Sequence, residues 1–193
     1  MGFTNPVYGK NFADPQVVAV DNIFYAFATN GALGNVQTLT STDLVSWDEV
    51  GDALPVLPSW TSPGRVWAPE VAVHAADRYV MYYTSRDDVS DRQAVGVAVA
   101  SVPEGPYVDK SSQPLISQVD EGGSIDASPF QDSTGRRWLY WKNDGKRDRR
   151  RHVDLRVGVV RRRSHADRPG ASPDQAGPRV GGQPGRGAVH GRT

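Results

Sequence analysis

The sequence contains no cysteine and only two methionines among its 193 residues. Without cysteine, neither a disulfide framework nor a thiolate metal site can form. No run of eighteen apolar residues occurs, and the opening stretch MGFTNPVYGK lacks the apolar core of a signal peptide. The chain as written is therefore expected to be soluble and cytoplasmic. An N-terminus that begins after a missing signal would instead fit an extracellular location.

The last quarter of the chain has no Phe, Tyr, Trp, Ile, Met or Glu. From residue 146 onward there are thirteen Lys and Arg against four Asp, a balance of +9, so the zero net charge hides a balance of −9 over residues 1–145. A segment without aromatic residues cannot bury enough surface to offset the entropy of ordering it. The sequence therefore predicts a folded domain over residues 1–145 and an unstructured Arg/Gly/Pro-rich tail over residues 146–193.

Three similar phrases, ADPQVV, APEVAV and IDASPF, place Asp14, Glu70 and Asp126 at regular intervals of 56 residues. An aromatic run follows each phrase: IFYAFAT, YVMYYTS and WLYWKN. Over residues 1–145 turn signals recur about every 8–12 residues and helical periodicity is not evident, which predicts an all-β domain. A repeat of this length is typical of a β-propeller. A β-sandwich, which also has strands at such intervals, is the alternative.

The three carboxylates are the candidate chemical groups. The innermost strand of each propeller blade points alternate side chains toward the axis, so equivalent positions converge on one pocket. Carboxylates that converge repel one another, which drives their pKa values apart, and one ionised base beside one protonated acid is what glycoside hydrolysis requires. The alternative is that acids at strand entrances cap turns or bind sugar hydroxyls, and this interpretation is preferred for Glu70.

Five phrases in order, ADPQVV, STDLVSW, WAPEV, VGVAVAS followed by GPY, and SIDASPF, resemble glycoside hydrolase family 43 over about residues 4–145. The resemblance implies a five-bladed β-propeller, of which this chain holds about three blades. It also implies an inverting glycosidase that acts on α-L-arabinofuranosyl or β-xylosyl linkages in plant polysaccharides or oligosaccharides. No cofactor, nucleic acid or membrane partner is expected.

The resemblance also assigns roles to individual residues. Asp14 corresponds to the general base that activates water, and Asp126 to the residue that tunes the pKa of the general acid and orients it. Trp67 and Glu70 match a phrase that lines the sugar pocket. Ser124, two residues before Asp126, is expected to face the same side of its strand and to contact sugar. No metal site is predicted.

The tryptophans fall into two groups by their surroundings in the sequence. Trp47, Trp138 and Trp141 lie in apolar strand runs and are predicted to be core residues. Trp60 lies in a Pro/Ser loop and is the tryptophan best placed to stack on a sugar ring.

The general acid of the family is a Glu in the fourth blade, and no Glu follows Glu121 in this sequence. The 56-residue interval puts the next carboxylate near residue 182, where the chain reads VGGQPGRG. One hypothesis makes the tail a basic arm for nucleic acid, although it lacks the aromatic residues that stack on bases.

The chain is expected to lack its general acid, to be poorly stable and close to inactive. A noncatalytic carbohydrate-binding or degenerate propeller is the alternative.

The preferred hypothesis for the tail is a shifted reading frame. Back-translated with CGN codons for Arg and read one nucleotide later, KRDRRRHVDLRV permits Asn-Ala-Ile-Gly-Val-Asp-Thr-Trp-Ile-Tyr-Val, an alternating aromatic strand. The same offset lets VGGQPGRGAVH encode Trp-Glu-Gly-Asn-Leu-Val-Glu-Gly-Pro-Tyr-Met, which resembles the family's acid phrase. Its second Glu codon would span Arg186 and Gly187. Sequencing the DNA tests this hypothesis, which fails if the offset frame meets early stop codons.

Overall fold

The computed structural model describes residues 2–145 and 155–159, and this part of the chain is built from β-strands. The single helical element described there is a 3-10 turn at Val119–Glu121, and no described helix is long and apolar enough to span a membrane. The strands are β1 (Gln16–Val20), β2 (Ile23–Ala28), β3 (Gln37–Ser41), β4 (Asp48–Asp52), β5 (Trp67–Ala75), β6 (Arg78–Asp87), β7 (Arg92–Ala100), β8 (Ser124–Gln131), β9 (Arg137–Asn143) and β10 (Leu155–Val159).

The strands form three antiparallel sheets, each of which follows the order of the sequence. Blade 1 contains β1 to β4, blade 2 contains β5 to β7, and blade 3 contains β8 to β10. The first hairpin turns at Asp21 and Asn22, whose φ angles of 50° and 64° match a tight turn between twisted strands. The predicted all-β class is confirmed. In each blade the carboxylate phrase and the aromatic run that follows it form an antiparallel hairpin.

The blades pack face to face, and strand β6 lies at the centre of the packing. Tyr79, Met81 and Tyr83 point to the core shared with blade 1, whereas Val80 and Tyr82 point to the core shared with blade 3. The period-2 alternation of a strand therefore buries both of its faces. Each buried side chain of this size contributes about 1.5–3 kcal/mol by leaving water. A sheet covered on both faces by neighbouring sheets has the layering of a propeller, not of a two-sheet sandwich.

The prediction for Trp60 is wrong. Its side chain is only 4% exposed, and its ring stacks on Tyr83 with centroids 6.1 Å apart. The Pro/Ser loop folds inward because its end is tied to β6: Thr61 pairs with Asp87, and its hydroxyl lies 2.7 Å from that of Ser85. Trp60 is therefore a core residue.

The three tryptophans predicted to be core residues differ in their burial. Trp141 is 5% exposed, as predicted. Trp47 and Trp138 are half-buried, so the core prediction holds for Trp141 only. Trp47 precedes β4, where a strand was predicted around it, and donates its indole N–H to the carbonyl of Leu44. Trp138 donates to Asp132 at the hairpin turn of blade 3.

Strand β10 lies inside the segment predicted to be unstructured. Its five residues, LRVGV, alternate apolar with other residues and pair antiparallel with β9, from Leu155 opposite Lys142 to Val159 opposite Trp138. The rest of the segment 146–193, including the positions used for the reading-frame hypothesis around Arg186, lies outside the described residues. The domain boundary at 145 and the shifted frame stay predictions.

Candidate active site

Each of the three inner strands carries one extra residue near its start. In blade 1, Thr29 donates its backbone N–H to the carbonyl of Ala13, although the regular register of β1 and β2 would align it with Asp14. In blades 2 and 3 the register shifts by one residue between Trp67 and Glu70 and between Ile125 and Ser128. An extra residue of this kind is a β-bulge, which bends a strand and redirects a side chain.

The residues at the bulges share an unusual backbone conformation. Asp14, Ala68 and Asp126 have φ angles of 51°, 41° and 54°, in the left-handed region that side chains other than Gly, Asn and Asp rarely enter. Because the three bulges match, Asp14 and Asp126 occupy equivalent positions, and the equivalent in blade 2 is Ala68. The prediction that Glu70 occupies this same position is therefore wrong by two residues. Glu70 corresponds to Gln16 and Ser128 instead.

Asp14 is exposed, and its carboxylate accepts a hydrogen bond from a hydroxyl of the same blade. Thr29, which follows β2, donates its side-chain proton to Asp14 Oδ2 at 2.8 Å. The same hydroxyl oxygen accepts the backbone N–H of Ala68 at 3.0 Å. One threonine therefore joins the bulge carboxylate of blade 1 to the bulge backbone of blade 2.

Asp126 is exposed as well, but its carboxylate has a cationic partner. Lys142 Nζ lies 2.7 Å from Asp126 Oδ2, with both side chains close to half exposed. The backbone N–H of Asp126 donates to the hydroxyl of Thr84 at 3.0 Å. Thr84 belongs to blade 2, so the contact between blades 1 and 2 is repeated between blades 2 and 3.

Glu70 is half-buried and reaches blade 3. Ser128 donates its hydroxyl proton to Glu70 Oε2 at 2.9 Å. Burial raises the pKa of Glu70, the Ser128 bond opposes that rise, and the negative charge of Asp126 adds to it. Glu70 and Asp126 are therefore neighbours in one electrostatic environment, as the converging arrangement of strands requires.

The remaining two predicted site residues differ in accessibility. Trp67 is half-buried at the start of β5, opposite Thr84. Ser124 is fully buried, and its hydroxyl donates to Gln118, which also accepts the indole N–H of the core residue Trp141. The roles of Trp67 and Ser124 in sugar binding stay predictions, and for Ser124 the burial argues against contact with a ligand.

The sequence reasoning missed the partners of the carboxylates. Thr29, Thr84 and Lys142 stand at equivalent places in their blades, one strand away from the bulge. All three residues come directly after the apolar part of an aromatic run. They are the last letters of AFAT (Thr29), MYYT (Thr84) and LYWK (Lys142). This shared position was a readable signal.

A comparison with family models matches residues 3–157 to glycosyl hydrolases family 43. The chain belongs to this family. The match extends past residue 145 and takes in most of β10. The family's fold, a five-bladed β-propeller, is the one predicted, and the described residues of this chain supply three of its blades.

Curated family 43 relatives are longer than this chain. It is 32% identical over 154 residues to a β-D-galactofuranosidase of Aspergillus niger, covering 71% of this chain and 44% of that protein. It is 33% identical over 137 residues to an extracellular endo-α-(1→5)-L-arabinanase of Thermotoga petrophila, covering 61% of this chain and 27% of the relative. The chain thus spans less than half of either relative.

Solved structures give the same picture. A thermostable family 43 glycoside hydrolase superposes with a TM-score of 0.71 at 26% identity, over 82% of this chain and 51% of the other. An endo-1,4-β-xylanase from Bacteroides thetaiotaomicron superposes with a TM-score of 0.61 at 31% identity, over 77% of this chain and 46% of the other. About half of a family 43 chain is therefore represented.

A cavity of about 640 Å³ lies on the face of blade 1 that points away from blade 2. Tyr8, Phe12, Leu39 and Trp47 are among the side chains that line it. None of the predicted site residues does, so the cavity is separate from the carboxylates. Among residues 2–145 and 155–159, no group of three or more His, Asp or Glu side chains is arranged to hold a metal ion.

Proposed function

We propose that this family 43 chain represents an inverting glycoside hydrolase in which Asp14 is the general base and Asp126 modulates the pKa of the general acid. The observation that carries the proposal is the equivalence of Asp14 and Asp126: both side chains are exposed at matching bulges of inner strands. Such positions converge toward the axis of a propeller. Inverting hydrolysis needs a general base and a general acid that face one pocket. In this proposal Asp14 is the base, and Asp126 lies where it would act on an acid from a fourth blade.

The contacts of the two carboxylates suit different roles. Asp14 is exposed and accepts a hydrogen bond from a neutral hydroxyl at Oδ2, so within the described residues Oδ1 is open to take a proton from water. Asp126 is paired with Lys142, which directs its carboxylate. A carboxylate fixed beside an acid raises the pKa of that acid. In an inverting enzyme the base and the acid stand roughly 6.5–9.5 Å apart, so that water and substrate fit between them.

The substrate class follows from the relatives' names. They are a galactofuranosidase, an arabinanase and a xylanase, whose glycosyl units are two furanoses and xylose. We infer α-L-arabinofuranosyl or β-xylosyl linkages in plant polysaccharides or oligosaccharides as the substrates, with β-D-galactofuranosyl linkages as a further member of the panel to test. The cytoplasmic location expected from the chain as written remains a prediction.

We further propose that the 193-residue chain is impaired, because no Glu follows Glu121 and the family's acid belongs to a fourth blade. A substrate with an activated leaving group tests both proposals together, since such a group departs without protonation. We expect the purified chain to hydrolyse a 2,4-dinitrophenyl glycoside of arabinofuranose or xylose and to release little sugar from arabinan, arabinoxylan or xylan. Robust release of sugar from the polysaccharides would overturn the impairment.

A noncatalytic carbohydrate-binding propeller is the second candidate, and the same missing Glu favours it. The substitution Asp14→Asn separates the two functions. An enzyme loses turnover of the dinitrophenyl glycoside and keeps its affinity for an arabino- or xylo-oligosaccharide, measured by calorimetry. Oligosaccharide binding with no turnover of any dinitrophenyl glycoside by the unmodified chain would favour the binder.

A further inference from the structure

Thr29 makes two contacts, one to a carboxylate of its own blade and one to the backbone of the next blade. Each of its counterparts, Thr84 and Lys142, makes one of these two contacts. Its hydroxyl donates to Asp14 Oδ2 and accepts from Ala68 N–H. Thr84, in blade 2, accepts the N–H of Asp126, but the bulge residue of its own blade is Ala68, which offers no carboxylate. Lys142, in blade 3, binds the carboxylate of its own blade, and its ammonium has no lone pair with which to accept a bond.

The two bonds fix the direction of the hydroxyl proton. A threonine hydroxyl has one proton and two lone pairs, and it normally rotates to suit its surroundings. Here the N–H of Ala68 points at the oxygen from a backbone held in a bulge. One lone pair is thereby occupied, and the proton is directed to Asp14. The position of the carboxylate is thus set by the contact between blades 1 and 2.

We propose that Thr29 is the positioning residue of the general base. The inference rests on the proposed function of Asp14. Within the described part of the chain, the hydrogen bond of this carboxylate involves Oδ2, so Oδ1 is the oxygen that receives the proton. Water gives that proton to Oδ1 while its oxygen bonds to the anomeric carbon, and the bond to the leaving oxygen breaks. With a dinitrophenyl glycoside the leaving oxygen departs as the phenolate, so the charges balance without the acid.

The substitution Thr29→Val keeps the shape of the side chain and removes both bonds, whereas Thr29→Ser keeps the hydroxyl. The matched control is Thr38→Val, the same change at a fully buried threonine of blade 1 whose hydroxyl donates to the carbonyl of Val36 and contacts no carboxylate among the described residues. This control separates loss of stability from loss of positioning.

The first measurement needs no activity. Three-bond NMR couplings report the χ1 rotamer of Asp14. We expect one rotamer in the unmodified chain, in Thr29→Ser and in Thr38→Val, and averaged couplings in Thr29→Val. A single unchanged rotamer in Thr29→Val would overturn the proposal, whether or not the chain is an enzyme.

The second measurement uses the dinitrophenyl glycoside. We expect Thr29→Val to lower kcat by roughly 10- to 100-fold, the size of effect that misplaced groups cause, with KM within about twofold and with kcat largely restored in Thr29→Ser. A loss of kcat no greater than in Thr38→Val would overturn the proposal. If the unmodified chain itself hydrolyses no substrate, the proposed function fails, and the couplings alone decide whether Thr29 positions Asp14.

Discussion

Asp14 and Asp126 are structurally equivalent, one in blade 1 and the other in blade 3. Each follows the residue at which an extra amino acid enters the inner strand, and each has a φ angle just above 50°. Each is also contacted at Oδ2 by the residue at the matching place near the end of the second strand. Thr29 donates a hydrogen bond to Asp14, and Lys142 forms an ion pair with Asp126. The same β-bulge thus places two carboxylates at equivalent positions, one beside a neutral hydroxyl and the other beside an ammonium group.

The backbone of blade 2 is capped by a side chain of blade 1, and this contact should contribute to stability. Gln16 accepts the N–H of Val71 at 2.6 Å and donates to its carbonyl at 3.0 Å. Gln16→Met has a similar length and makes neither bond. Because Val71 is 2% exposed, we expect a loss of about 1–3 kcal/mol in the free energy of unfolding, measured with urea.

The matched control for this contact is Gln131→Met. The amide of Gln131 donates to the carbonyl of Gly135 in an exposed hairpin turn, so its removal should change stability by less than about 0.5 kcal/mol. Equal effects of the two substitutions would contradict the capping role of Gln16.

The core between blades 1 and 2 depends on a glycine in β7. A Cβ built on Gly96 would lie 2.3 Å from the ring of Tyr83, which is fully buried. We expect Gly96→Ala to cost about 1–3 kcal/mol of unfolding free energy, as overpacked cores do. Gly9→Ala, where nothing lies within 4 Å of the added atom, should be close to neutral. A neutral Gly96→Ala would mean that the sheet shifts freely at this point.

The pH dependence of stability should reveal the environment of Glu70. Its pKa is raised in the folded chain, chiefly by burial, so the protonated form is favoured on folding. The resulting contribution to stability is present below the ordinary glutamate pKa, about 4.3, and is lost as pH rises through the folded value. Relative to Glu70→Gln, the unmodified chain should therefore lose stability between pH 4 and pH 7.

Glu49 provides a control of opposite sign. The hydrogen bond from Lys10, and then that from Tyr8, lower its pKa. Its contribution is present above the ordinary pKa and is lost as pH falls through the folded value. Relative to Glu49→Gln, the unmodified chain should therefore lose stability as pH falls below about 4.3. Urea midpoints at pH 3, 4.5 and 7 measure both effects, and pH slopes of the same sign for the two pairs would contradict this assignment.

The strands could be predicted from the sequence because each inner strand alternates and a tight turn precedes each aromatic run. The place of Glu70 relative to the bulge of its blade could not be predicted. A spacing of 56 residues aligns it with Asp14 and Asp126, but the linker and strand lengths of the first two blades differ, and the bulges fall at Ala68 and Asp126. Sequence intervals count residues, whereas equivalence in a propeller depends on where a strand gains its extra residue.

The burial of Trp60 and the contact between Thr29 and Ala68 were also beyond the sequence pattern. A Pro/Ser loop predicts an exposed side chain, and nothing local indicates that Thr61 ties it to β6. The contact between Thr29 and Ala68 joins residues that are 39 positions apart in the sequence and belong to two blades. It depends on tertiary packing, which local pattern does not record.

The most direct test of Asp14 as the general base is chemical rescue. The substitution Asp14→Gly should lower hydrolysis of the dinitrophenyl glycoside by about 10²–10⁴-fold, the contribution of a general base. Azide, which needs no base, should then restore cleavage and yield a glycosyl azide of inverted anomeric configuration, identified by NMR. Hydrolysis by Asp14→Gly at the rate of the unmodified chain, or a rescued product of retained configuration, would contradict the account.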